Sequence, residues 1–98
     1  MFIILVNYKV SIEEIEKNLV SHVEFLKKQY KLGNFIASGR RVPRTGGIIL
    51  SNLKDKAQLE EVLNDDPFKQ NNLADFEIIE FLPTTTNKQL SFLMEEVA

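Results

Sequence analysis

The chain has 98 residues with no cysteine and no tryptophan; it is 44% hydrophobic and 27% charged, with a formal charge of -2. That length holds one domain, residues 1–98, and so large a hydrophobic fraction at so small a net charge excludes intrinsic disorder. Lack of cysteine excludes disulfides, thiolate nucleophiles and iron–sulfur ligands, one histidine argues against a tight transition-metal site, and the acidic balance gives no case for nucleic acid. Met1–Val6 is apolar for only about six residues and has no basic flank or cleavage site, so it reads as a strand rather than a leader. No run approaches the ~18 apolar residues of a membrane span, and the expected location is the cytoplasm.

Phe2–Tyr8 is β-branched and aromatic, and apolar at both alternating sets of positions, as a central strand covered on both sides requires. Ser11-Ile12-Glu13-Glu14 is a capping box, and Val10 with Ile15 fits a hydrophobic staple. A single helix is predicted from there to about Leu32, ended by Gly33 in a left-handed cap. Its apolar stripe is Ile12, Ile15, Leu19, Val23, Leu26 and Tyr30, and Phe25 projects away from it as an exposed aromatic. Asn34–Gly39 and Gly47–Ser51 read as strands. The segment Arg40–Gly46 between them is a loop carrying three arginines.

Asp55 caps a second helix through Asn64 with Leu59, Val62 and Leu63 inward, and Asp66-Pro67 starts a short helical turn. Ala74–Leu82 is the last strand, stopped by Pro83. The tail, residues 83–98, holds Leu90, Phe92, Leu93 and Met94, and is expected to pack on its own subunit or a partner. The order β-α-β-β-α-β specifies an α+β, ferredoxin-like fold with an antiparallel sheet. Both helices cover one sheet face. Phe2, Ile4, Phe76 and Ile78 leave more apolar strand surface than two helices use, which predicts that two sheets pair face to face in a dimeric α/β barrel.

Among residues with chemical potential, His22 lies about 60° from the centre of the helical stripe. It reads either as a boundary histidine or as an acid/base at the edge of a cleft, a role suited to a side chain that changes charge between about pH 5 and 8. Asp66 is explained by its capping position, or alternatively orients the imidazole of His22. Arg40, Arg41 and Arg44 are either solvated or placed to bind a carboxylate or phosphate. Gly46-Gly47 lacks the Lys-Ser/Thr of a phosphate loop and reads as a bend or a close backbone approach.

The chain resembles the YciI-like (YCII-related) family along nearly its whole length. The similarity is carried by His22 with Phe25-Leu26, Gly33, Ile36–Gly39, Val42–Leu50, Asp66-Pro67-Phe68 and Ile78–Pro83. The resemblance implies ferredoxin-like subunits that pair into an α/β barrel, and a His–Asp pair in a pocket that falls on His22 and Asp66. Some relatives dehydrochlorinate chlorinated hydroxyquinones, and others are accessory domains of larger proteins. Arg40-Arg41 stands where the family often has proline and a polar residue, which bears on the pocket's charge. Asn71-Asn72 stands where glycine is common, and asparagine tolerates the left-handed turn.

These readings together predict a cofactor-free, metal-free enzyme acting on a small anionic or enolisable molecule by elimination, isomerisation or hydrolysis. His22 and Asp66 are its catalytic pair; Ser38, Gly39, Arg40 and Arg44 hold the substrate. The expected assembly is a homodimer, or a larger oligomer built from it, with no nucleic-acid or membrane partner. The alternative is a non-catalytic dimeric module that binds a small ligand in the same cleft.

Overall fold

The computed structural model describes residues 1–95. Strands β1 (Phe2–Tyr8), β2 (Phe35–Arg40), β3 (Gly46–Ser51) and β4 (Ala74–Glu80) form one antiparallel sheet in the order β2-β3-β1-β4. With α1 (Ile12–Lys17), α2 (Leu19–Lys31), α3 (Lys56–Leu63) and α4 (Pro67–Gln70), this is the ferredoxin-like α+β arrangement, with β3 slipped between β1 and β2. β1 pairs along its length with β3 on one side and β4 on the other. Phe2, Ile4 and Val6 are buried in one core with Ile15, Phe25, Leu59, Leu63 and Phe68 from the helices. β4 ends at Glu80, short of the predicted Leu82, although the Phe81 amide still donates to the Met1 carbonyl at 3.0 Å.

The predicted surplus of apolar strand surface falls on different residues. The register sets Ile78 beside Ile4 and Phe76 beside Val6, so Phe2, Ile4, Phe76 and Ile78 all face the helices. The open face instead carries Ile3 flanked by Leu50 and Ile79, and Leu5 beside Ile48. Ile48 and Ile79 remain 37% and 43% exposed. Strand side chains alternate strictly, so assigning the opposite set to the helices moves the whole open face by one residue.

The first helix is broken. At Asn18 (φ -110°, ψ 5°) α1 ends and α2 begins, because the Asn18 amide donates a tight-turn bond to the Ile15 carbonyl and its side chain competes for the helix backbone. Asn18 Nδ2 donates to the Glu14 carbonyl at 3.0 Å, and its Oδ1 accepts from Asn71 Nδ2 at 3.1 Å, tying the break to the end of α4. The break re-phases α2, whose buried residues are Phe25 and Gln29. Phe25 is therefore core, only 6% exposed, and not the outlying aromatic that one continuous helix predicts; Tyr30, expected in the stripe, is 38% exposed.

Three tight positions behave as their residue types require. Gly33 has φ +79° and closes α2, with the Asn34 amide donating to the Gln29 carbonyl at 2.9 Å. Asn72 takes φ +56° before β4. At Gly46 a Cβ would lie 1.8 Å from the Val6 carbonyl oxygen, so only glycine lets the β2–β3 loop close against β1. That loop holds a cis Val42–Pro43 bond and is fixed to β1 by the Tyr8 amide, which donates to the Thr45 carbonyl at 3.0 Å.

Beyond β4, Lys88–Leu93 forms a 3-10 turn that buries Leu93 on its own domain and leaves Phe92 exposed. Residues 96–98 of the tail lie outside the described residues.

Candidate functional site

The site begins with a helix cap. Asp66 stands at the N-terminus of α4, with Pro67 supplying the preset backbone angle, and its Oδ1 accepts the Phe68 amide at 2.9 Å. The same oxygen lies 2.8 Å from His22 Nδ1, in the first turn of α2. Asp66 is fully buried, and its Oδ2 has no hydrogen-bond partner among the described residues. A carboxylate oxygen that accepts leaves Nδ1 to donate, which fixes the tautomer and leaves Nε2 as the nitrogen with a free lone pair. The two readings of Asp66, cap and imidazole partner, are both realised on one atom.

Packing also holds the ring. The Phe68 ring is parallel to the imidazole within 3°, at a centroid separation of 3.9 Å, and Phe25 stacks more loosely at 6.4 Å. Tyr8 meets the edge of Phe68 at 6.0 Å. His22, Phe25, Leu26 and Gln29 share one face of α2 at helical spacing, so the break at Asn18 aims His22 inward.

A cavity of about 300 Å³ opens between α2, β3 and the edge strand β2. Its walls are mostly apolar: Val6, Leu19, Val23, Leu26, Ile49 and Phe68. Polar groups converge on it from His22, Ser38, Arg40 and Arg44, with Gly39 opening the rim. A mostly apolar cleft with a few convergent polar groups is the form a small-molecule site takes. His22, Ser38, Gly39, Arg40 and Arg44 are thus brought together, with Asp66 standing directly behind His22 rather than on the wall.

The three arginines of the loop separate. Arg41 Nη1 donates to Asn7 Oδ1 at 2.5 Å and takes no part in the wall. Arg44 lines the cavity while its Nη1 donates to Glu16 Oε1 at 3.0 Å. Arg40 lines it, and its side chain has no hydrogen bond or ion pair to any described residue. Two participants escaped the sequence reading. Tyr30 Oη lies 2.6 Å from Ser38 Oγ, and Glu16 reaches Arg44 across 28 positions. The resemblance block Asp66-Pro67-Phe68 did contain the ring that stacks on His22, but no local signal marked Glu16. Among the described residues, no three His, Cys, Asp or Glu side chains are grouped to hold a metal ion, and no helix is long and apolar enough to cross a membrane.

Comparison with known proteins agrees with this architecture. The model of the YCII-related domain matches residues 1–82, which hold every element of the site. No curated protein matches the sequence. Among solved structures, the fold is similar to that of 5-chloro-2-hydroxyhydroquinone dehydrochlorinase from Burkholderia phenoliruptrix AC1100, solved in complex with 2,5-dihydroxybenzoquinone. The TM-score is 0.69 at 13% identity, over 83% of this chain and 93% of that one.

Proposed function

Because this chain belongs to the YCII-related domain family, we propose that it is a small enzyme whose His22 moves a proton on a single-ring or enolisable organic acid. The observation that carries the reading is the 2.8 Å contact of His22 Nδ1 with buried Asp66, in a ring position that borders the cavity. With Nδ1 protonated, Nε2 has a free lone pair and acts as the base. Asp66 holds that tautomer and stabilises the imidazolium that forms when the proton is taken. The proton then returns to the leaving group or to another carbon, giving elimination or isomerisation, or is drawn from water, giving hydrolysis. Such a step moves no net electrons, so the mechanism calls for no redox group.

Ser38, Arg40 and Arg44 bind the oxygen atoms of the substrate, and the apolar walls take its carbon frame. A cavity of about 300 Å³ suits one ring. The neighbour of similar fold binds an oxygen-rich quinone, which supports the same ligand chemistry here. A second copy of the chain, laid against the open sheet face, completes the proposed assembly.

The test pairs a turnover screen of small phenols and enolisable acids with 15N NMR of the lone imidazole. Any turnover found should fall by about 100-fold or more in His22→Ala, the usual weight of a positioned acid/base. Asp66→Asn should lower it too and shift the imidazole away from the Nδ1-protonated form. Undiminished turnover in His22→Ala sinks the mechanism. A ligand that saturates the cleft without conversion, its affinity alone changed by His22→Ala, would make the domain a binding module.

A further inference from the structure

We propose that Glu16 sets the charge class of the ligand: it occupies Arg44 until a ligand bearing a second acidic group takes its place. The inference rests on reading the cavity as a small-anion site, and it divides the two cavity arginines by their state in the empty protein. Arg40 is exposed and without a partner among the described residues. Arg44 is neutralised through its Nη1 by Glu16, 3.0 Å away, while its Nε is buried and has no acceptor. One cation therefore stands ready and one is held in reserve.

Exchange at Arg44 needs only side chains to turn. The loop backbone is held by Tyr8 and by its own bond from the Arg41 amide to the Gly46 carbonyl, 2.9 Å. Glu16 is 57% exposed, so its carboxylate returns to water easily, and exposed ion pairs are weak. A ligand carboxylate between apolar walls is poorly hydrated and attracts the guanidinium more strongly than Glu16 does. Once the Arg44 side chain turns, its Nε–H, buried and without an acceptor in the empty protein, forms with a neighbouring Nη the two-pronged donor that a carboxylate fits. A monoanion is thus met by Arg40 alone, and a dianion recruits Arg44 and releases Glu16.

Calorimetric titration with benzoate and phthalate, single-ring acids differing by one carboxylate, separates these cases at low salt and neutral pH. Glu16→Gln should tighten phthalate by about two- to fivefold while moving benzoate by less than about 1.5-fold. Arg44→Gln should remove the advantage of phthalate, and Arg40→Gln should weaken both acids. Equal effects of Glu16→Gln on the two acids, or weaker phthalate binding, overturn the role of Glu16 while the Arg40 result keeps the anion site standing. No binding of either acid to any of these proteins overturns the anion site and this inference with it.

Discussion

Asp66 serves two elements through a single oxygen, and its neighbour in kind gives a way to separate the two services. Asp55 caps α3 by accepting the Ala57 amide at 2.9 Å on an exposed surface and does nothing else. Asp66 caps α4 and also anchors His22. Losing a cap costs about 1 kcal/mol, and losing the imidazole bond about 1 more. Asp55→Ala should therefore lower the urea-unfolding free energy by about 1 kcal/mol and Asp66→Ala by about 2 kcal/mol. Equal losses would mean that the His22 contact contributes nothing to stability. Both caps were legible in the sequence, because a cap is made between an aspartate and amides two residues away. The pairing of His22 with Asp66 was implied by the family resemblance and not by spacing, because 44 positions separate the two.

At the scale of elements, the break at Asn18 did most to shape the site. Read as one helix, residues 12–32 place Phe25 outside and leave His22 ambiguous. Read from Asn18 onward, the face made by His22, Phe25, Leu26 and Gln29 is regular. The signal was an asparagine in a helix interior, a residue whose amide competes with the helix backbone. The end of the chain shows a second element-level device. Glu95 lies 2.8 Å from the Lys54 ammonium and 3.1 Å from the Met1 amino group, clasping the 3-10 turn to the strand end. Lys54, and after it the Met1 amino group, hold the Glu95 carboxyl below the usual carboxylate range. A carboxyl depressed on folding stabilises above its unfolded value and loses that contribution as pH falls through the folded one. The Tm gap between the native chain and Glu95→Gln should thus be present near pH 7 and close as pH drops below about 4.5. A gap that is constant with pH would show that the clasp carries no charge-dependent stability.

For the whole molecule, the feature that asks for a partner is the sheet face opposite the helices. Ile3, Leu5, Ile48, Leu50 and Ile79 lie together on it, and the core side chains of α1 to α4 pack on the opposite face. An apolar face of this kind on a small domain favours self-association, since a second copy supplies the matching surface. Sedimentation at micromolar concentration should give a dimer for the native chain and a folded monomer for Ile48→Lys with Ile79→Lys. A monomeric native chain would remove the proposed assembly.

The amino-acid order was enough to give the succession of strands and helices, the caps at Ser11, Asp55 and Asp66, the left-handed cap at Gly33, a left-handed turn at Asn71-Asn72, and a bend or close approach at Gly46-Gly47. Each depends on contacts within a few residues or on a backbone angle that one residue type accepts. It also named residues that line or back the cavity: His22, Asp66, Ser38, Gly39, Arg40 and Arg44. Their arrangement came from the packed fold: that His22 meets Asp66, that the Arg40 side chain has no partner among the described residues while Arg44 is bound to Glu16, and which strand residues stay open. Those outcomes depend on helix phase and strand face, where one broken hydrogen bond or a shift of one residue reverses which side chains meet.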